Sequence, residues 1–384
     1  MRDPMRSPPR AGRFVPLLAL GVLTVLVPGL YGVGVLDITA INQLGRFLAL
    51  AIVAVGLDLV WGYTGILSLC QAMFFCFGGY AMGMYMAMHG PLSDKGVPRV
   101  LTEVSSDVGG MTLPLFWEPF GSFWFALGAV VLVPGLAALA FGWLTFRSRV
   151  RGVYFSIITQ ATTIAVWLIF CRNETKLCGT NGLNKLEQMF GYNMTTPGAR
   201  FAAYLVTVAA LAATWAFARW LIASRTGRVL VAIRDNESRL RFAGYQPVAY
   251  KTFIFTVGAV LAGIGGALYV PQNGIITPAK MEAIESITMV VWVAVGGRGT
   301  LSGAIIGAVV VNYLQSVLTT LAPNAWLFVL GAIFVAVVLF LPTGLTGLWA
   351  QLFPAGGGKV PDDDARADGG AVSAPASVQA KAAP

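Results

Sequence analysis

Charged residues are scarce in this 384-residue chain, where lysine, arginine, aspartate and glutamate together make up 11% of the sequence. Soluble domains carry about a quarter of such residues, so the composition excludes an ordinary soluble domain. Hydrophobic residues reach 57%. They recur in long runs, and roughly 20 apolar residues are needed for a helix to cross a hydrocarbon core about 30 Å thick. The composition therefore predicts an all-α, polytopic transmembrane helical bundle.

Signatures of catalysis are also missing. The one histidine, His89, and the four cysteines show no metal-ligand spacing. No G-x-S-x-G elbow and no H-E-x-x-H pair occurs. The nearest approach to a Walker A motif, residues 356–360, reads GGGKV and fails at the last position. These absences argue against an enzyme and against a metal or cofactor bound by this chain.

The cysteines divide into two pairs. Cys70 and Cys76 lie in an apolar run and are interpreted as small core residues. Cys171 and Cys178 flank a polar stretch that is predicted to lie outside the membrane, where a disulfide could form in an oxidising compartment. The sequence leaves open whether they form one.

Ten membrane spans are predicted from the apolar runs. They cover residues 14–36, 41–60, 66–88, 121–146, 153–171, 201–222, 252–270, 286–297, 302–322 and 325–349. Residues 1–13 are predicted to form a basic cytoplasmic segment and 14–350 the transmembrane domain. Residues 351–384 are predicted to be a disordered cytoplasmic tail, because they are rich in Ala, Gly, Asp and Pro and lack the large apolar residues that could bury a core. The eighth span is short, which indicates a broken or re-entrant helix.

The net charge of +9 follows the positive-inside rule. Basic clusters precede span 1, follow spans 4 and 6, and include Arg298 after span 8. An even number of spans places all of them on the cytoplasmic side, so both termini are predicted to be cytoplasmic. Basic residues that flank apolar spans indicate contact with the lipid bilayer, not with nucleic acid.

The largest basic cluster lies at 224–251, between two apolar runs. Residues 230–242 are predicted to form a short exposed helix with Gly227 and Gly244 as hinges at its ends. Asp235 and Glu237 would then face basic groups of a docked partner. The alternative is an ordinary solvated basic loop.

A second polar feature interrupts an apolar run at Gly62 and Gly65. Freed backbone groups at such a break must be buried in protein or line a wet cavity. A similar Gly-x-Leu-Ser pattern occurs at 62–68 and 296–302, which suggests an internal repeat or a chance match. Polar residues in and near the predicted spans are candidates for a substrate pathway: Asp58, Tyr63, Ser68, Gln71, Tyr154, Thr159, Gln160 and Asn181. Helix packing, capping and turn formation are the alternatives for these residues.

Three motifs together resemble the LivM-type permeases of branched-chain amino-acid ABC importers. They are GYTGILSL at 62–69, IRDNE at 233–237 and GGRGTLSG at 296–303. Within this family, SLCQAMF at 68–74 and RGVYFSIITQ at 151–160 resemble the urea-transport branch, called UrtC-like.

The resemblance implies a multi-pass permease of the bacterial inner membrane. Its partners would be a second homologous permease, two ABC ATPase subunits that bind ATP and Mg²⁺, and a periplasmic substrate-binding protein. The implied ATPase-coupling residues are Gly227, Arg228, Ile233, Arg234, Asp235, Asn236, Glu237 and Gly244. Urea is the expected substrate, and branched-chain amino acids or another small amide are the alternative. A stand-alone secondary transporter or channel is the competing class, and it would not need a docking loop.

Overall fold

A computed structural model describes residues 37–91, 98–99, 114–148, 150, 152–321, 328–329, 331–332, 335 and 344–345. These parts of the chain are mostly helical. The α-helices are α1 (Ile38–Thr64), α2 (Gln71–Met88), α3 (Phe123–Arg147), α4 (Val153–Phe170), α5 (Pro197–Ala223), α6 (Arg225–Phe242), α7 (Pro247–Asn273), α8 (Ala283–Gly296) and α9 (Leu301–Leu321). Short 3-10 helices cover Glu118–Gly121, Asn173–Thr175, Gly179–Asn181 and Pro278–Met281.

Six of these helices, α1, α3, α4, α5, α7 and α9, are long and apolar enough to cross a membrane. Eight of the ten predicted spans coincide with observed helices. The spans predicted at 14–36 and 325–349, the segment 1–13 and the tail 351–384 lie outside the described residues, apart from seven positions between 328 and 345. Helix α8 has 14 residues, about 21 Å at 1.5 Å per residue, which is too short to cross the core. The total of ten spans and the side of each terminus stay predictions.

Helices α1 and α7 form the centre of the bundle. Helix α1 packs against α5, α7, α8 and α9, whereas α7 also packs against α2 and α3. Close approach depends on glycine: a Cβ on Gly78 of α2 would overlap the Gly263 carbonyl of α7. Helices in lipid associate mainly through such close packing, because lipid tails are as apolar as the side chains. Glycine has this role on α9 as well, since Gly303 and Gly307 lie against the backbone of α8.

Helices α3 and α4 present apolar side chains outward. Trp124, Leu136 and Leu144 on α3 and Ile157 and Leu168 on α4 are all exposed. An apolar surface of this extent is unusual for a soluble monomer. It is the surface expected of helices that face lipid or a neighbouring membrane subunit.

The segment between α4 and α5 departs from the predicted all-α class. Gln188–Met189 and Tyr192–Asn193 form a two-stranded antiparallel hairpin. Its turn residues, Phe190 and Gly191, both have positive φ values, as a type I′ turn requires. No disulfide joins Cys171 and Cys178 in this segment.

Candidate functional site

The large basic cluster folds into helix α6, which begins directly after α5. The Ser224 hydroxyl caps it by accepting a hydrogen bond from the Gly227 amide at 3.3 Å. Gly227 lies in the first turn of the helix, where a Cβ would overlap the carbonyl oxygen of Ile222. It therefore permits a close turn between α5 and α6, which differs from the predicted hinge. Leu230 and Ile233 are buried and hold the helix against the bundle.

Helix α6 is kinked at Asn236. Its backbone has φ −159° and ψ 92°, which interrupts the helical conformation. The Asn236 side chain accepts a hydrogen bond from the Arg239 amide at 3.1 Å, so it caps the second part of the helix. The single helix predicted at 230–242 is thus two short segments. Arg228 and Asp235 are exposed, and exposed Gly244 follows the helix with a φ of 84°.

Glu237 has a position different from the predicted one. It forms ion pairs with Arg241 at 2.6 Å and with Lys251 of α7 at 2.8 Å. Lys251 is only 9% exposed, and its ammonium also lies 5.9 Å from the centre of the Phe146 ring. Glu237 therefore links α6 to α7. Of the two acidic residues predicted to face a partner, only Asp235 is exposed.

Arg234 connects α6 to the C-terminal end of α1. Its Nη1 donates a hydrogen bond to the Gly62 carbonyl at 3.0 Å, and its Nε lies 3.2 Å from the Asp235 carboxylate. Helix α1 ends three residues later at Gly65, which has a φ of 75°. The predicted break is thus at Gly65, and Gly62 is helical. A guanidinium is favourable at this place because the last carbonyls of a helix carry partial negative charge.

The turn between α8 and α9 contacts the same end of α1. Arg298 donates to the Trp61 carbonyl through Nε at 3.3 Å and Nη2 at 3.2 Å, and its guanidinium lies 4.8 Å from the centre of the Trp61 ring. The buried carboxylate of Asp58 accepts a hydrogen bond from the Gly299 amide at 2.7 Å. Burial lowers the pKa of Arg298, the charge of Arg234 lowers it further, and the charge of Asp58 opposes both. The two similar segments at 62–68 and 296–302 are therefore in direct contact.

Helix α4 satisfies the irregular backbone between α1 and α2. Ser156 donates to the Leu67 carbonyl at 2.8 Å, and Thr159 accepts from the Leu69 amide at 3.1 Å. Thr163 donates to the Leu69 carbonyl at 3.3 Å. These hydroxyls occur every three or four residues and so lie on one face of α4. Thr159 therefore bonds to the backbone of this segment, and its role in a substrate pathway stays a prediction.

Two predicted pathway residues are buried amides. Gln71 is the first residue of α2 and is 1% exposed. Gln160 lies on α4, next to the hydroxyl face. The side-chain amide atoms of both residues have no hydrogen-bond partner among the described residues. A buried amide without a partner is destabilising, so each of these sites favours a polar solute or water.

The other predicted pathway residues are scattered. Ser68 is buried, with its Oγ 3.1 Å from the Cys70 sulfur, and Tyr63 is half-buried. Tyr154 is exposed at the start of α4, and Asn181 is exposed in the segment between α4 and α5. Of the predicted residues, the structure places Asp58 at the contact between α1 and the α8–α9 turn and leaves Tyr154 and Asn181 on the surface.

A cavity of about 410 Å³ lies beside this junction. Its lining comes from the break after α1, the ends of α3 and α4, α6 and α7: Thr64, Gly65, Ile66, Leu67, Phe146, Val150, Gly152, Val153, Phe155, Ser156, Ile233, Glu237 and Lys251. In the part of the chain that the structure describes, no three His, Cys, Asp or Glu side chains are placed to hold a metal ion. The arrangement thus places a cavity directly beside helix α6.

Sequence reasoning missed two of the residues that build the junction. Arg298 was assigned only to an inner loop, although its spacing from the glycines at 296, 297 and 299 marks a tight turn. Lys251 belongs to the predicted basic cluster, although it directly precedes the apolar run that begins at residue 252. Its position beside an apolar run indicates that it could be buried in the bundle.

Known proteins resemble the chain over most of its length. The family described as branched-chain amino acid transport system / permease component matches residues 39–338. The high-affinity branched-chain amino acid transport system permease protein LivM of Salmonella typhimurium is 23% identical over 351 residues, which cover 86% of this chain and 74% of the relative. LivH of Escherichia coli K12, a permease protein of the same kind of system, is 24% identical over 77% of this chain and 91% of the relative.

A more local similarity reaches a different transport system. The autoinducer 2 import system permease protein LsrC of Escherichia coli O9:H4 is 31% identical over 133 residues, or 33% of this chain and 39% of the relative. No solved structure matches the chain. The family match covers far more than half of the sequence and agrees with the six membrane-crossing helices. The chain therefore belongs to the branched-chain amino acid transport system permease family, as a multi-pass inner-membrane transport component and not an enzyme.

Proposed function

We propose that this chain is the permease subunit of an ATP-driven importer in which helix α6 receives the ATPase. The observation that carries the proposal is the hydrogen bond from Arg234 to the Gly62 carbonyl. It joins an exposed basic helix to the end of the central helix of the bundle. Two ATPase subunits would supply ATP and Mg²⁺ binding, a second permease would complete the pathway, and a periplasmic protein would deliver the substrate.

The two faces of α6 suit such a docking role. Leu230, Val231 and Ile233 are buried against the bundle, whereas Arg228 and Asp235 are exposed. A force applied to the exposed face would pass to α1 through Arg234 and to α7 through the ion pair of Glu237 with Lys251. Because Ile233 and Glu237 also line the 410 Å³ cavity, a movement of α6 would change the shape of that cavity.

Urea is the substrate that we propose. Gln71 and Gln160 offer neutral donors and acceptors without partners, and urea presents one carbonyl oxygen and four N–H donors. Binding a neutral solute requires no fixed charge at these two positions. The alternative substrate is a branched-chain amino acid, which is favoured by the similarity to LivM and LivH, permease proteins of branched-chain amino acid transport systems.

The test is uptake by the complete transporter. The tagged chain, its partner subunits and the binding protein would be reconstituted in liposomes that contain ATP. We expect ATP-dependent uptake of labelled urea, and we expect unlabelled leucine not to compete. If leucine is taken up and urea does not compete with it, the substrate is a branched-chain amino acid and not urea. Uptake without ATP, or purification of the chain without any ATPase, would contradict the importer itself.

A further inference from the structure

A second cavity lies at the other end of the bundle from α6. It has a volume of about 200 Å³ and lies between the first half of α1 and parts of α7, α8 and α9. Arg46 of α1 lines it, sixteen residues before Gly62, which is about 24 Å along the helix at 1.5 Å per residue. With α6 on the cytoplasmic side, this cavity is on the side from which a substrate would be delivered.

The lining of this cavity is unusually polar for the interior of an apolar bundle. Lys280 and Glu285 form an ion pair at 2.7 Å. Arg46 donates through Nη1 to the Asn273 side chain at 3.1 Å, and Gln43 of α1 donates to the Ser316 hydroxyl of α9. Ionisable residues within membrane helices are unfavourable unless paired, and they commonly mark a substrate path. None of these residues is required by the coupling junction at the opposite end.

Two residues that line the cavity carry buried donors with no acceptor among the described residues. The indole Nε1 of Trp292, a residue that is 2% exposed, has no hydrogen-bond partner among the described residues, and neither has Nε of Arg46. Both groups can only donate. A buried donor without an acceptor is destabilising, so the cavity favours a ligand that brings an acceptor oxygen. Arg46 and Lys280 outnumber Glu285, so the lining also carries a net positive charge.

We propose that this cavity is a substrate-binding vestibule for a small polar solute whose acceptor oxygen is recognised by Trp292 and Arg46. The carbonyl oxygen of urea and the carboxylate of an amino acid share this chemistry. This inference rests on the proposed import function and adds a site to it. Solute would occupy the vestibule after its release from the binding protein and before it reaches the centre of the bundle.

The test is substrate protection of an engineered thiol in the assembled complex. Thr319 is exposed and lines the cavity, and its hydroxyl bonds only within α9. Thr319→Cys is therefore expected to react with a membrane-impermeant thiol reagent added from the delivery side. The chain without this substitution gives the background, because Cys70, Cys76 and Cys178 are buried and Cys171 is half-buried. Urea and leucine are then tested separately for slowing of the reaction.

Trp292→Phe, added to Thr319→Cys, keeps an aromatic ring at this position but removes the N–H donor. We expect the protecting concentration to rise about two- to tenfold, the equivalent of one neutral hydrogen bond. Tyr313→Phe is the matched control, because Tyr313 is exposed on α9 and does not line the cavity. It should leave the protecting concentration unchanged.

The arms of the experiment separate the two solutes and the two proposals. Protection by urea alone supports carbonyl recognition, protection by leucine alone supports carboxylate recognition, and protection by both supports the shared acceptor oxygen. No labelling of Thr319→Cys, no protection by either solute, or an unchanged midpoint in Trp292→Phe would overturn the vestibule. Those results would leave ATP-dependent uptake by the unmodified complex intact, whereas absence of that uptake would refute the import function.

Discussion

Replacing Arg234 with alanine should uncouple ATP hydrolysis from transport. The substitution removes the hydrogen bond to the Gly62 carbonyl and leaves the buried contacts of Leu230 and Ile233 in place. Hydrogen bonds to charged groups contribute about 1.5–3 kcal/mol. The Arg234 side chain is 26% exposed, so we take the lower end, about 1.5 kcal/mol. Because 1.4 kcal/mol corresponds to a factor of ten, the population in which α6 and α1 move together should fall about tenfold.

The assay is the ratio of solute imported to phosphate released by the purified complex in liposomes. In Arg234→Ala this ratio should fall about tenfold, while the ATPase still co-purifies with the permease. Arg234→Lys should recover part of the ratio, because an ammonium can donate one hydrogen bond to the same carbonyl. Arg219→Ala is the matched control, since Arg219 is exposed on α5, where its guanidinium lies over the Trp215 ring. An unchanged ratio in Arg234→Ala would refute the idea that this contact transmits force.

Four further outcomes are expected. Glu237→Gln leaves Lys251 buried without its counter-ion, so the unfolding midpoint of the detergent-solubilised complex should fall with a loss of about 3 kcal/mol; the same midpoint as the parent protein would contradict the ion pair. Gly227→Ala should lower that midpoint, because the added Cβ would overlap Ile222. Gly244→Ala should lower it as well, through a loss of about 1 kcal/mol in unfolding free energy that comes from left-handed backbone strain. Limited proteolysis should show a disturbed α5–α6 turn in Gly227→Ala and not in Gly244→Ala. Gln71→Leu should reduce urea flux without reducing membrane insertion, and an equal flux would remove Gln71 from the pathway. Reporter fusions at Gly12 and Gly356 should both report the cytoplasm, and a disagreement between them would disprove the even number of spans.

The long apolar runs predicted most of the helices because a membrane span needs length and hydrophobicity, and both are local properties of the sequence. The exact ends of the spans were harder to predict. The run at 66–88 was predicted as one helix, yet α2 begins only at Gln71. Residues 66–70 stay irregular because Ser156, Thr159 and Thr163 of α4 bond to their backbone. A contact between segments about 90 residues apart cannot be read from the local pattern.

The candidate site shows the same division. Glycine and charge patterns identified α6 and the break after α1, and the similarity of 62–68 to 296–302 pointed to two segments that do meet. The pairing of Glu237 with Lys251 and the kink at Asn236 depend on tertiary packing, so they were not predicted. Arg46 lies inside a predicted span, and an ionisable residue at such a position indicates a functional site. The delivery-side cavity is formed by several helices that are distant in the sequence, so the local pattern could not predict it.

Helix α1 runs uninterrupted from Ile38 to Thr64 and carries both Arg46 and Gly62. It can therefore act as a lever that pivots among the helices packed around it. A tilt of about 5° over the ~24 Å between these residues displaces one end by about 2 Å relative to the other. That displacement is enough to break a hydrogen bond such as the one from Arg46 to Asn273. A force on the Gly62 carbonyl would then weaken the binding of a solute at the other end of α1. The rigid helix would transmit this effect without a series of side-chain rearrangements.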